Sequence, residues 1–93
     1  MMKVVIRDEA VEDLESIFAW ISKDNPSAAG RVVMSLRQRL NLLLTPGMAR
    51  MGRAGTDEGT LELVEAPYII VYEVHDDREE IEILAIVHGA QDR

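Results

Sequence analysis

The last third of the chain most restricts the possible folds, because three strand-like runs lie close together there. They cover residues 60–65, 68–75 and 80–88, and short turns at 66–67 and 75–79 separate them. Turns this short join antiparallel strands. A β-branched run at residues 3–7 adds a first strand at the start of the chain. The sequence therefore predicts a small, mostly antiparallel sheet.

Two segments between the first strand and the others have apolar residues at helical spacing. The first segment follows Asp8, a predicted helix N-cap, and continues to about residue 23. The second has Asn25 as its predicted N-cap and Pro26 at its first helical position, and the Thr-Pro-Gly at 45–47 ends it. Residues 48–59 lack periodicity and are predicted to form a loop. The order β-α-α-β-β-β predicts one α+β domain over residues 1–93, with a two-helix hairpin packed on one face of the sheet.

Side chains of the last strand divide between the two faces of the predicted sheet. A period of two assigns Ile81, Ile83, Ala85 and Val87 to one face, and Glu82, Leu84, Ile86 and His88 to the other. Because two helices cover only one face, we expect apolar residues such as Leu84 and Ile86 to be partly exposed on the uncovered face. An uncovered apolar surface of this kind predicts a binding partner.

Charge and composition exclude several classes of function. The formal net charge of −7 repels polyanions, which disfavours direct binding of nucleic acid. The chain has no cysteine and no apolar run long enough to cross a membrane, and its first residues lack the pattern of a signal peptide. The spacing of His75 and His88 does not predict a zinc site. We therefore expect a cytoplasmic protein without a metal or other cofactor.

Several sequence blocks in order resemble one known family along essentially the whole chain. The blocks are AVEDLESI at 10–17, NPSAA at 25–29, LTPG at 44–47, MGR at 51–53, GTLEL at 59–63, APYIIVY at 66–72 and ILAIVHGAQDR at 83–93. Together they resemble the RelE/ParE superfamily of bacterial toxins, also called plasmid stabilisation proteins, from type II toxin–antitoxin systems. The resemblance implies the β-α-α-β-β-β fold and a cognate antitoxin that wraps the toxin and neutralises it. The assembly expected is a toxin–antitoxin hetero-oligomer or a toxin homodimer.

The resemblance implies two possible modes of action. ParE-like members bind DNA gyrase and block it without catalysis, whereas RelE-like members cleave mRNA on the ribosome without a metal. Cleavage needs an acid, a base and cations at the phosphate. Leu61 stands where the family pattern usually has an arginine, and the acidic chain disfavours an RNA substrate. Gyrase inhibition is therefore the favoured prediction, with the nuclease or a degenerate, non-toxic member as alternatives.

The candidate site residues come from the loop and from the closing strand and tail. If the protein were a nuclease, His88, Arg53 and Arg93 would be its catalytic candidates. As a docking surface, the predicted set that contacts target or antitoxin is Arg50, Arg53, Leu84, Ile86, His88 and Arg93. For His88, a purely structural role at the end of a strand is an equally good interpretation of the sequence.

Overall fold

The computed structural model describes residues 1–89, which form one layer of helices on one five-stranded sheet. The elements are β1 (Lys3–Ile6), α1 (Asp8–Ser22), α2 (Pro26–Asn41), a 3₁₀ turn (Leu42–Leu44), β2 (Arg53–Ala54), β3 (Leu61–Glu65), β4 (Tyr68–His75) and β5 (Glu80–His88). Arg93 lies outside the described residues. Within residues 1–89, no helix is long and apolar enough to cross a membrane.

The sheet has the strand order β1-β5-β4-β3-β2. β1 is parallel to β5, and every other neighbouring pair is antiparallel. This arrangement confirms the predicted α+β class and the mostly antiparallel sheet. One element was not predicted: β2, a two-residue strand in the segment interpreted as a loop, pairs Arg53 with Glu62 at the edge of the sheet.

The helices begin where the sequence places them, although their caps differ. Asn25 Oδ1 accepts a hydrogen bond from the Ala28 N–H at 3.0 Å, and Pro26 is the first helical residue of α2. The predicted N-cap of α1 is wrong, because Asp8 is already helical and Arg7 holds the extended cap position without a side-chain hydrogen bond. Asp8 still lies in the first turn, where its charge favours the positive end of the helix dipole.

The core lies between the helices and the face of the sheet that they cover. Its buried cluster comprises Ala10, Leu14, Leu36, Leu40, Leu43, Leu63, Ile70, Tyr72, Ile81, Ile83 and Ile86. Tyr72 is fully buried, and its hydroxyl accepts the Gly52 N–H at 3.0 Å, which holds the loop before β2 against the sheet. Burial raises the pKa of Tyr72 above its ordinary value, since the ionised phenolate would lose its hydration.

A β-bulge at Leu84 changes which face of the sheet the end of β5 presents. Val71 pairs with Ala85 while Tyr72 pairs with Ile83, so Leu84 has no opposite residue on β4. The bulge shifts the alternation by one residue. Ile86 therefore joins Ile83 in the core and is 3% exposed. The prediction that Ile86 lies on the uncovered face is wrong for this reason.

The same shift moves His88 to the face that the helices cover. His88 pairs with Tyr68, and their rings meet edge to face with centroids 5.6 Å apart. It does not share a face with Glu82, as strict alternation had predicted. The region after the bulge is also joined to α1. β1 stops pairing with β5 at Ile83, and beyond that point Asp13 Oδ2 of α1 accepts a hydrogen bond from the Ile86 N–H at 2.8 Å.

Candidate functional site

A largely apolar groove lies between α1 and α2. It encloses about 550 Å³. We call it the helix groove, and it is lined by Ile6, Val11, Leu14, Glu15, Phe18, Gly30, Val33, Met34 and Arg37. Glu15 and Arg37 provide its charged groups, and the remaining lining is apolar apart from Gly30.

Exposed apolar side chains and a helical glycine keep the helix groove open. Phe18 is 44% exposed and Met34 is 58% exposed, although both are large apolar residues. Gly30 lies inside α2, and a Cβ placed there would meet no atom within 4 Å. Glycine in a helix interior costs about 0.5–1 kcal/mol relative to alanine. Exposed apolar area rimmed by charge is typical of a surface that binds another protein.

The two loop arginines of the predicted set lie on the surface and are both paired with acidic groups. Arg50 Nη2 lies 2.6 Å from Asp76 Oδ2, and its Nη1 contacts the other carboxylate oxygen at 3.4 Å. This pairing raises the pKa of Arg50 above its already high ordinary value. Arg53 donates from Nε to Glu62 Oε1 at 3.2 Å across the edge strand. The charge of each arginine is therefore partly balanced by a neighbouring carboxylate before any external ligand binds.

The structure does not bring the remaining predicted residues into one site. Leu84 is the bulged residue and is half-buried, while Ile86 is part of the core. His88 lies on the helix-covered face, whereas Arg53 pairs with Glu62 on the uncovered face, which also carries Glu73 and Glu82. Arg93 is outside residues 1–89. Of the three catalytic candidates, the two that the structure describes thus lie on opposite faces of the sheet.

The uncovered face of the sheet is more charged than the sequence predicted. Near the turn that joins β4 and β5, it holds a group of three side chains, Glu73, His75 and Glu82, that we call the carboxylate–histidine cluster. His75 Nε2 lies 2.9 Å from Glu82 Oε1 and 3.5 Å from Glu73 Oε1. Arg7 Nη2 contacts the other oxygen of Glu82 at 2.9 Å. The hydrogen bond from His75, together with Arg7, lowers the pKa of Glu82.

Replacing Glu82 with glutamine is expected to remove part of the pH dependence of stability. A carboxylate whose pKa is lowered by folding contributes stability above its unfolded pKa and loses that contribution as the pH falls through its folded pKa. At about pH 5, E82Q should unfold with a free energy lower by about 1–2 kcal/mol, the typical loss of a charged hydrogen bond. The difference should shrink as the pH falls through the lowered, folded pKa of Glu82, because the carboxylate then becomes protonated. Urea unfolding at a series of pH values measures both differences.

A constant difference between E82Q and the unchanged chain across this acid range would contradict that assignment. Glu73, His75 and Arg7 surround the same carboxylate and remain in both proteins, so E82Q changes only the charge of Glu82 and its coupling to them. Far-UV circular dichroism at each pH verifies that both proteins are folded before denaturant is added.

The sequence contained a signal for the helix groove, but helical periodicity alone did not distinguish groove residues from core residues. Val11 and Phe18 widen the apolar arc of α1 beyond the residues that reach the core, and both are at least 39% exposed. Gly30 interrupts a helix that otherwise has strong helix formers around it. The apolar arc of α1 is wider than its contact with the core requires, and it faces a glycine in α2. This combination indicates a second contact surface on the helices.

Comparisons with known proteins agree with the fold and identify the family. A family model described as "ParE toxin of type II toxin-antitoxin system, parDE" matches residues 4–93. A protein of Sinorhizobium fredii (strain NBRC 101917 / NGR234), named "Putative toxin Y4kP", is 39% identical over 84 residues, covering 88% of this chain and 82% of that protein.

Two solved structures share the fold. One belongs to the chromosomal ParDE toxin–antitoxin system of P. aeruginosa, with a TM-score of 0.81, 24% identity, and coverage of 95% of this chain and 96% of the other. The second is from the RelBE2 toxin–antitoxin complex of Mycobacterium tuberculosis, with a TM-score of 0.67, 21% identity, and coverage of 94% and 90%. The chain therefore belongs to the ParE toxin family of type II toxin–antitoxin systems, within the RelE/ParE superfamily.

Proposed function

We propose that the protein is a cytoplasmic toxin that inhibits DNA gyrase by binding and is neutralised by an antitoxin seated in the helix groove. The observation that carries the binding mode is the separation of the candidate catalytic residues. Arg53 and His88 lie on opposite faces of the sheet, and Arg53 is already paired with Glu62. General acid–base catalysis requires both groups within hydrogen-bond reach of one substrate. A docking inhibitor has no such requirement.

The charge of the chain supports the same proposal. RNA cleavage by cations requires a phosphate to approach a protein of net charge −7, and the two loop arginines balance neighbouring carboxylates instead. A phosphate would have to displace those carboxylates, which costs the protein its ion pairs. A protein target without a polyanionic backbone carries no such electrostatic penalty.

The helix groove supports the antitoxin part of the proposal. Solved structures with this fold come from toxin–antitoxin systems or complexes, so a partner chain of that class is the natural occupant. The groove runs between two helices and exposes Val11, Phe18 and Met34. An amphipathic helix that inserts apolar side chains at helical spacing fits a surface of this shape. The antitoxin would thus cover apolar surface on the helices and not on the sheet.

Inducing the gene alone in bacteria tests the proposal. Growth arrest with an SOS response and loss of plasmid supercoiling is expected, and coexpression of the cognate antitoxin should restore growth. Prompt cleavage of mRNA at ribosomes, without an SOS response, would instead identify a nuclease. Unimpaired growth at a verified protein level would identify a degenerate member of the family. Either of these two results overturns the proposed mode of action.

A further inference from the structure

The carboxylate–histidine cluster on the uncovered face has the composition and spacing of a metal site. We propose that Glu73, His75 and Glu82 bind a divalent transition-metal ion, with Zn²⁺ as the best fit. Each residue offers one ligand atom, and the three atoms lie within 4.8 Å of one another. The linear spacing of the two histidines had predicted no zinc site. The cluster uses only one of them, and pairing of β4 with β5 brings in Glu82, seven residues after His75, as the third ligand.

Two of the three distances between ligand atoms in the cluster are close to those of a tetrahedral coordination shell. Zinc binds histidine nitrogen and carboxylate oxygen at about 2.0–2.2 Å, so two ligands of a tetrahedral ion lie about 3.3 Å apart. His75 Nε2 is 2.9 Å from Glu82 Oε1 and 3.5 Å from Glu73 Oε1. These values lie on either side of the tetrahedral spacing. The third distance, between the two carboxylates, lies within 4.8 Å, so side-chain rotations would bring the ligands around the ion.

The backbone holds the three ligands in position before any ion binds. Glu73 and His75 are two residues apart on β4 and point to the same face. Glu82 lies on the neighbouring strand β5, directly opposite Glu73. All three are half-buried. Arg7 contacts the Glu82 oxygen that does not face His75, through Nη2 at 2.9 Å and Nε at 3.1 Å. Such an outer contact orients a ligating carboxylate while leaving its other oxygen for the metal.

The charge of the cluster also favours a divalent cation. Two ionised carboxylates and a neutral imidazole carry a charge of −2, which one Zn²⁺ neutralises. Without the ion, the Arg7 guanidinium, which contacts Glu82, balances only one of these charges. Three protein ligands leave a fourth position for water or for a side chain from another molecule. The site would fasten β4 to β5 on the face opposite the helix groove.

Isothermal titration of the full-length chain with Zn²⁺ in a non-chelating buffer tests the site. We expect one ion per chain, and a visible spectrum typical of four-coordinate Co²⁺ when cobalt replaces zinc. E73Q and H75Q should each weaken Zn²⁺ binding by about tenfold to a hundredfold. Glutamine keeps the size of both side chains, so these variants should remain folded, which circular dichroism verifies.

Two matched variants distinguish this site from incidental binding. Glu80 lies on the same face of β5 as Glu82, pairs with Lys3 and Arg78, and is not one of the three ligands. E80Q removes a charge opposite His75 but no ligand atom, so it should weaken Zn²⁺ binding much less than E73Q does. H88Q should bind as the unchanged chain does. Absence of saturable binding, or equal affinity in E73Q, H75Q and the unchanged chain, would overturn the proposal.

Discussion

The double variant F18D/M34D is expected to bind the antitoxin at least about a hundredfold more weakly than the unchanged toxin, because two central apolar contacts of a helix-in-groove interface would be replaced by charges. Both side chains line the helix groove, and about half of each is exposed in the free protein. Their replacement therefore removes little of the core. Calorimetric titration of the purified toxin with the antitoxin measures the effect.

A matched control separates a groove effect from a general loss of surface hydrophobicity. Trp20 is on the same helix as Phe18 and is 71% exposed, but it does not line the groove. W20D should bind the antitoxin with an affinity within about threefold of the unchanged toxin, as expected for a residue outside the interface. Equal weakening by W20D and F18D/M34D would contradict the assignment of the groove.

Gly30 provides an independent variant for the same surface. A Cβ at this position meets nothing within 4 Å, so leucine can be placed there without a clash at its first carbon. G30L should raise the helical propensity of α2 while its side chain occupies the groove. Stability that is kept or increased together with weaker antitoxin binding is the expected result. Unchanged binding by G30L would show that the antitoxin sits elsewhere.

Leu36→Ala is expected to lower the free energy of unfolding by about 3 kcal/mol, because a fully buried leucine is replaced by a cavity. Leu36 has no exposed surface and belongs to the cluster between α2 and the sheet. For a domain of this size, such a loss lowers the melting temperature by more than about 10 °C. Thermal and urea unfolding measure it.

Leu42→Ala is the control for that prediction. Leu42 follows α2 in the 3₁₀ turn and is 41% exposed, so the same chemical change should cost less than about 1 kcal/mol. If both variants lost the same stability, the core would not lie where the structure places it. If L36A loses activity because it unfolds, that loss does not make Leu36 part of a functional surface.

Much of the fold could be predicted because its signals are local. Asn25 and Pro26 specify the start of α2 through a cap and a fixed φ angle, and the structure has both. The limits of β4 and β5 agree with the sequence prediction at each end. Turn residues that interrupt the apolar pattern predicted those limits. Such interruptions are read from residues adjacent in sequence, without knowledge of the fold.

The face of each residue near the end of β5 could not be predicted in the same way. From Ile83 to Val87 every residue is apolar, so alternation has no polar member to indicate which side faces water. The bulge at Leu84 depends on pairing with β4, and one inserted residue reverses the orientation of those that follow. The core position of Ile86 and the position of His88 beside Tyr68 both follow from that insertion.

The candidate site shows the same limit for contacts between distant parts of the chain. Arg50 with Asp76, and Arg7 with Glu82, are pairs that no linear spacing indicates. The helix groove likewise depends on the packing angle of α1 against α2. Residue types predicted a surface for a partner, whereas the groove between the helices becomes visible only in the folded arrangement.

The most direct measurement of the central claim is a supercoiling assay with purified gyrase, relaxed plasmid and the purified toxin. A binding inhibitor of gyrase should reduce supercoiling in proportion to the toxin added, and preincubation with the antitoxin should abolish the inhibition. The toxin F18D/M34D should still inhibit gyrase but resist the antitoxin, which separates the two surfaces. Full supercoiling at every toxin concentration, together with cleavage of mRNA on translating ribosomes, would contradict the account.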